Sequence, residues 1–233
     1  MEVKKIGVLG AGIMGAGIAQ ICAEAGFEVI LVDLTEEFVN KGYQTVVKNW
    51  TRSVEKGKAS AEEVEKFKAL ITTSVDNKDF KDCDVVIEAI VENIDVKKKV
   101  FKELGEICKD SAILATNTSA LSITEIGAAS GRPQSVVGMH FFNPVPVMKL
   151  VEVIPGAETS EAAVDIITEL SVKIGKEPVR AKETPGFIVN RLLVPYMNEA
   201  AMLYQEGVPA EEIDKAMKLG ANMPMGPLAL ADL

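Results

Sequence analysis

Three glycines near the start of the chain have the spacing GxGxxG, within GAGIMG at residues 10–15. They follow an apolar run at residues 6–9 that is typical of a buried strand. A helical pattern then ends at Gly26, and a second apolar run at residues 29–32 ends on Asp33. In such a βαβ unit the glycines permit a tight turn, close approach of a pyrophosphate, and close helix–strand packing. The complete pattern favours dinucleotide binding over an ordinary glycine turn.

Asp33 also predicts which dinucleotide is bound. A carboxylate at the end of the second strand can accept hydrogen bonds from the ribose hydroxyls of an adenosine. It would repel the 2′-phosphate of NADP, and no arginine follows it directly. The sequence therefore predicts NAD as the cofactor. The residues expected to contact it in this region are Gly10, Gly12, Ile13, Met14, Gly15 and Asp33.

The single histidine, His140, ends a predicted strand at residues 136–139, and Glu152 interrupts the apolar pattern of another at residues 149–154. Two strands joined by such a turn can lie side by side, which lets Glu152 accept a hydrogen bond from one ring nitrogen. That bond would fix the tautomer, stabilise the imidazolium and leave the other nitrogen to act as a base. Hydride loss from a carbinol carbon requires such a base for the hydroxyl proton. A core histidine with a structural partner is the alternative.

Lys48, Arg52 and Lys56 are spaced four residues apart, on one face of a helix predicted over residues 35–57. The protein is otherwise acidic, with a formal net charge of −9. Two interpretations stay open: a solvated helix surface, which is what charge runs usually are, or a landing site for an anionic substrate.

The elements that would position these residues alternate along the chain. Strands are predicted at residues 6–9, 29–32, 71–74, 84–88, 112–116, 136–139, 149–154 and 177–180, with helices at 35–57, 61–70, 96–107 and 160–174. This alternation predicts an α/β fold with a Rossmann-type, doubly wound, mostly parallel sheet. Ligands bind at the carboxyl ends of such strands, so Asn117 and Ser119 are expected near the nicotinamide ring. A polar helix cap is the alternative for these residues.

The strand pattern stops at Thr184, Pro185 and Gly186, and only helices are predicted beyond them. We therefore expect an NAD-binding domain over residues 1–184 and the start of a helical C-terminal domain over residues 185–233. The chain ends inside an apolar run, LALADL, so the second domain is expected to be truncated.

Composition narrows the class of protein. Hydrophobic residues make up 48% of the chain and charged residues 25%, which is ordinary for a globular protein. The negative charge argues against nucleic acid as the main partner, and no apolar run reaches the length of a membrane span. The three cysteines, Cys22, Cys83 and Cys108, are too few and too scattered for a disulfide framework or a metal site. A strand begins directly after Glu2, leaving no room for a leader peptide, and we expect a cytoplasmic protein without a metal.

Several longer motifs accompany these residues: EAIVEN at 88–93, NTS at 117–119, HFFNPVPVMKLVEVI at 140–154 and ETPGFIVNR at 183–191. With the glycine motif they resemble the L-3-hydroxyacyl-CoA dehydrogenase family, and within it the bacterial 3-hydroxybutyryl-CoA dehydrogenases. The resemblance implies that His140 is the general base and Glu152 its orienting carboxylate. It implies that Ser119 and Asn190 hold the reacting oxygen and the thioester end of the substrate, and that Lys56 contacts coenzyme A. The residues that it places along the cofactor or substrate cleft are Ala89, Glu92, Lys97, Asn117, Ser119 and Asn143.

The resemblance implies reversible, NAD-dependent oxidation of (S)-3-hydroxyacyl-CoA to 3-ketoacyl-CoA, on the four-carbon substrate, by a homodimer or higher homo-oligomer formed through the C-terminal domain. One alternative is an NAD-dependent dehydrogenase of a free hydroxy or sugar acid. The basic face at Lys48, Arg52 and Lys56 argues against this alternative, because it favours a phosphate-bearing substrate. The other is a non-catalytic NAD-binding protein, which the presence of His140, Glu152 and Asn190 argues against.

Overall fold

A computed structural model describes residues 2–232. By the density of backbone contacts the chain divides into two compact units, Met1–Thr184 and Pro185–Leu233. Within the described residues, the first unit holds a single eight-stranded sheet and the second unit is helical.

The sheet of the first unit has the strand order β3-β2-β1-β4-β5-β6-β7-β8. Its strands are β1 Lys5–Leu9, β2 Glu28–Val32, β3 Ile71–Ser74, β4 Val85–Glu88, β5 Ile113–Thr116, β6 Val136–Phe141, β7 Leu150–Pro155 and β8 Glu177–Arg180. All neighbouring strands are parallel except β6 and β7, which are antiparallel. The predicted Rossmann-type, doubly wound and mostly parallel sheet is confirmed.

Six α-helices accompany the sheet: α1 Ile13–Glu24, α2 Glu36–Glu55, α3 Ala61–Leu70, α4 Ile94–Ile107, α5 Ile123–Ala129 and α6 Glu161–Lys173. All of them except α1 begin directly after a residue whose side chain caps the first turn. The Thr35 side chain accepts from the Phe38 amide at the start of α2, and Ser60 and Glu63 form a capping box at the start of α3. Helices α2 and α3 pack together through Trp50 and Phe67, whose ring centroids are 5.8 Å apart.

Three of the differences between the structure and the sequence prediction in the first unit have a clear local cause. Helix α5 was not predicted, because a seven-residue segment carries too little periodicity to stand out. Helix α4 begins two residues earlier than predicted, since the Asn93 side chain caps it. Strand β6 continues through His140 to Phe141, because those residues pair with β7.

The three cysteines are buried in the first unit and form no disulfide. Burial raises the pKa of the Cys22 and Cys83 thiols to about 12 and that of Cys108 to about 11. Protonated thiols are poor nucleophiles, which agrees with a structural role for all three. Among residues 2–232 there is no helix long and apolar enough to cross a membrane.

The second unit contains α7 Val189–Gln205, α8 Ala210–Gly220 and α9 Pro227–Ala231. Helix α7 begins at Val189 rather than directly after Gly186, because Phe187 has a φ of +50°, outside the right-handed helical region. The carboxylate of Asp214 in α8 accepts hydrogen bonds from the amides of Leu228 and Ala229, at 2.9 and 3.0 Å. These bonds cap the first turn of α9.

Candidate active site

The glycine motif forms the turn from β1 into α1. Gly10 has a φ of +99°, and a Cβ there would lie 2.6 Å from the Ala89 carbonyl oxygen. A Cβ on Gly15 would lie 1.8 Å from the Gly10 carbonyl oxygen, so that position admits only hydrogen. At Gly12, by contrast, a Cβ would meet nothing within 4 Å. Gly12 therefore leaves open space directly before α1, whose first turn has neither a side-chain cap nor an acidic residue. The exposed amides and the helix dipole can receive a pyrophosphate there.

Asp33 lies just beyond β2 and joins this loop to the neighbouring cleft. One carboxylate oxygen accepts from the Ala11 amide at 2.6 Å and the other from the Leu34 amide at 2.7 Å. Each oxygen has further lone-pair capacity, which two ribose hydroxyls can use. A cleft of about 600 Å³ lies here, lined in part by Gly10, Gly12, Asp33, Ala89 and Ile90. The residues present fit an adenosine joined to a pyrophosphate.

His140 and Glu152 face each other across the β6–β7 pairing, where they are direct register partners. Nδ1 of His140 lies 2.7 Å from Oε2 of Glu152, within hydrogen-bond distance. Both side chains are almost completely buried, so their interaction is little screened by water. The predicted contact is confirmed. A histidine held by a buried carboxylate is suited to exchanging a proton with a bound substrate.

Polar residues at the ends of β4 and β5 lie at the same edge of the sheet. The Asn117 side chain accepts from the Phe141 amide at 2.8 Å, which ties the end of β5 to the strand that carries His140. Glu92 accepts from the Ser119 amide at 2.7 Å and from the Thr118 hydroxyl at 2.6 Å. The structure brings Glu92 and Ser119 into contact and ties Asn117 to β6, while their predicted roles along the cofactor or substrate cleft stay a prediction.

Lys97 differs from its predicted place along the cleft. Its side chain is fully buried, and its ammonium lies 2.5 Å from Glu88 and 3.5 Å from Glu92. Lysines are rarely buried unless they are paired, so nothing in the sequence predicted the burial of Lys97. The Lys97 side chain therefore contacts Glu88 and Glu92 in the interior and does not face the cleft.

The remaining predicted residues are spread more widely. Ile13 is exposed at the start of α1, while Met14 packs against the core. Asn143 is exposed in the turn after β6. Lys48 and Arg52 are exposed on α2, and Lys56 is the residue that ends it. Asn190 lies in the first turn of α7, in the second unit.

Two residues that the sequence interpretation missed hold the loops around the site. Lys176 is buried, and its ammonium donates to the carbonyls of Val145 and Met148 at 2.5 and 2.8 Å, which fixes the turn that carries Asn143. Burial lowers the pKa of Lys176. A lysine one residue after a helix-ending glycine looks like an ordinary surface residue, so no sequence signal distinguished it.

Glu183 is the second missed residue. Its carboxylate accepts from the Ser122 hydroxyl at 2.6 Å, from the Thr124 amide at 2.9 Å, and from the Thr124 hydroxyl. Burial alone would raise the pKa of Glu183, but these hydrogen bonds hold it below its ordinary value. Glu183 thus fastens the last residues of the first unit to the start of α5. The sequence feature that could have identified Glu183 is its place in the ETPGFIVNR motif.

Comparison with known proteins agrees with this geometry. The sequence profile of the 3-hydroxyacyl-CoA dehydrogenase NAD binding domain matches residues 5–184, and that of the C-terminal domain of the same enzymes matches residues 186–233. The chain belongs to the 3-hydroxyacyl-CoA dehydrogenase family. It is therefore an NAD-dependent oxidoreductase, and NAD, predicted from Asp33, is confirmed as the cofactor.

Relatives within the family cover nearly the whole chain. A 3-hydroxybutyryl-CoA dehydrogenase from Clostridioides difficile is 51% identical over 98% of this chain and 82% of its own length. The human mitochondrial hydroxyacyl-coenzyme A dehydrogenase is 48% identical over 99% of this chain and 76% of its own length. The crystal structure of (S)-3-hydroxybutyryl-CoA dehydrogenase from Ralstonia eutropha superposes with a TM-score of 0.97 at 45% identity, covering 99% of this chain and 82% of that chain.

Proposed function

We propose that this dehydrogenase interconverts (S)-3-hydroxybutyryl-CoA and acetoacetyl-CoA with NAD(H), with His140 as the general acid and base. The observation that carries the proposal is the buried His140–Glu152 contact of 2.7 Å at the sheet edge that also holds the glycine loop and Asp33. The 3-hydroxybutyryl-CoA relatives support the four-carbon substrate.

In this proposal His140 takes the hydroxyl proton of the substrate, and Glu152 stabilises the imidazolium that results. NAD, when bound, supplies the hydride acceptor. Asn190 donates a hydrogen bond to the substrate oxygen, and Ser119 holds the thioester end, as the family motifs imply. In the reverse direction the protonated His140 returns its proton to the ketone oxygen.

The anionic end of the substrate is the second part of the proposal. Coenzyme A carries several phosphate charges far from the reacting carbon. Lys48, Arg52 and Lys56 are all exposed, so their cations are accessible to such a group. In a protein with a net charge of −9, a local cluster of three cations attracts an anionic ligand.

The deciding experiment follows NADH absorbance with acetoacetyl-CoA and, at equal concentration, with free acetoacetate. We expect rapid oxidation of NADH with the thioester and little with the free acid. Faster turnover of the free acid would replace the proposal with a hydroxy-acid dehydrogenase. Absence of turnover on any 3-ketoacyl-CoA, with NADH binding intact, would favour a non-catalytic NAD-binding protein.

We also propose a cytoplasmic location and a homodimer or higher homo-oligomer. Three buried thiols fit a reducing compartment, which supports the cytoplasmic location.

The homo-oligomer is supported by large apolar side chains that are exposed in the helical unit. Leu192 in α7 and Leu219 in α8 are among them, and another copy of the chain would cover them. Cell fractionation tests the location, and light scattering on the purified protein tests the oligomer.

A further inference from the structure

A buried cluster of charges lies under the loop that follows β4. Glu88, the last residue of β4, and Lys97 in α4 are both fully buried and form an ion pair of 2.5 Å. Lys97 also lies 3.5 Å from Glu92, whose side chain is 42% exposed. The Glu88–Lys97–Glu92 cluster therefore contains two carboxylates and one ammonium, with one net negative charge.

Hydrogen bonds satisfy the buried end of this cluster. One oxygen of Glu88 accepts from the Ile90 amide at 2.8 Å as well as from Lys97, and the other accepts from the Thr116 hydroxyl at 2.7 Å. Burying such charges costs free energy, and an apolar replacement of similar volume is often at least as stable. A role other than stability is therefore worth seeking for Glu88.

The position of the cluster indicates that role. Strands β1 and β4 are neighbours where the strand order reverses, which is where a dinucleotide crosses the sheet. Asp33 marks the β2 side as the adenosine half, and that cleft reaches Ala89 and Ile90 after β4, so the nicotinamide half belongs further along the sheet, between β4 and β5. The cluster lies on that side, and Glu92 extends it to the Thr118–Ser119 turn. The oxidised nicotinamide ring is a cation, whereas the reduced ring is neutral.

We propose that Glu88 is a positioning residue whose buried charge gives the Glu88–Lys97–Glu92 cluster its net negative charge, and that this charge favours the oxidised cofactor over the reduced one. The inference rests on the proposed function, in which NAD and NADH bind at this edge of the sheet. Without Glu88, Lys97 would neutralise Glu92, and the site would lose the field that attracts the cationic ring. Glu88 would act through Lys97 and Glu92 rather than by touching the cofactor.

The test compares binding of the two cofactor forms, without turnover. Kd for NADH is measured from its fluorescence, and Kd for NAD⁺ from competition against NADH, in wild type and in Glu88→Gln. Removing the net charge of the cluster should lower the relative affinity for NAD⁺ by about three- to tenfold at low ionic strength. The shift should shrink when salt is added.

A matched control is Thr116→Val, which removes a hydrogen bond to Glu88 but no charge. It should leave the ratio of the two Kd values unchanged, even if both rise. Should Glu88→Gln fail to fold, Glu92→Gln removes the same charge at the exposed end and should shift the ratio in the same direction.

Equal changes in both Kd values, in Glu88→Gln or in the substitute Glu92→Gln, would overturn the inference and leave the proposed function standing. The inference would also be overturned if the ratio of the two Kd values changed as much in Thr116→Val as in Glu88→Gln. If wild type binds neither nucleotide, the failure is that of the proposed function itself.

Discussion

The glycine loop and the His140–Glu152 pair lie at the same edge of one sheet but are built differently. The loop is made of backbone, and its exact shape depends on hydrogen atoms at Gly10 and Gly15 where a methyl group would collide. The pair is made of two side chains from antiparallel strands, twelve residues apart in sequence. The loop thus depends on excluded volume, and the pair depends on charge and proton exchange. Substitutions in the glycine loop should therefore alter nucleotide binding or folding, whereas substitutions in the His140–Glu152 pair should alter turnover.

The largest effect is expected at His140. His140→Gln should lower kcat by roughly two to four orders of magnitude, which is the usual size of a general acid–base contribution. The Kd of NADH, from fluorescence titration, should be unchanged, because the phosphates and adenosine bind elsewhere on the sheet edge. Near-normal turnover would remove His140 from the mechanism.

Glu152→Gln should be less severe. The imidazole would keep a hydrogen-bond partner but lose the charge that stabilises its protonated form, so kcat should fall by about 10- to 100-fold. Steady-state kinetics alongside circular dichroism would distinguish this from unfolding. If Glu152→Gln lost as much activity as His140→Gln while folded, the carboxylate would be doing more than orienting and stabilising the ring.

The loop should respond differently at Gly12, where there is open space, and at Gly15, where there is none. A methyl group on Gly12 has open space, so Gly12→Ala should fold normally but raise the Kd of NADH by about tenfold, because it occupies the approach of the pyrophosphate. A methyl group on Gly15 meets backbone, so Gly15→Ala should lower the free energy of unfolding by about 1–3 kcal/mol.

Thermal melting and NADH titration of the two alanine variants would test this contrast. Normal NADH affinity in Gly12→Ala would mean that no phosphate approaches that residue. An unchanged melting temperature in Gly15→Ala would mean that the turn relaxes around the added methyl group.

The smallest effect is expected at the basic face. Lys56→Ala should raise the KM for acetoacetyl-CoA by about two- to fivefold at low salt, since one exposed ionic contact contributes little. The KM for NADH should stay the same, and added salt should reduce the difference. Lys173→Ala, which removes an exposed lysine at the end of another helix, is the control and should change neither KM. An unchanged KM in Lys56→Ala, and in the variant with Lys48, Arg52 and Lys56 all replaced, would make this face a solvated surface.

Local sequence was enough to predict the first βαβ unit and its cofactor. The glycine spacing, the two apolar runs and Asp33 are contiguous, and each constrains backbone geometry through neighbours only a few residues away. The His140–Glu152 contact could also be predicted, because one histidine and one carboxylate interrupt two apolar strands joined by a short connection.

Only the tertiary structure decided which polar residues are buried and what they hold. Lys97 resembles a surface lysine on an amphipathic helix, yet Glu88 from β4 meets it in the interior. Lys176 and Glu183 likewise contact carbonyls and hydroxyls that are distant in sequence. The physical reason is that helix and strand periodicity follow from each residue and its near neighbours. The partner of a buried charge depends instead on which strands lie side by side, and that is set only when the whole sheet has assembled.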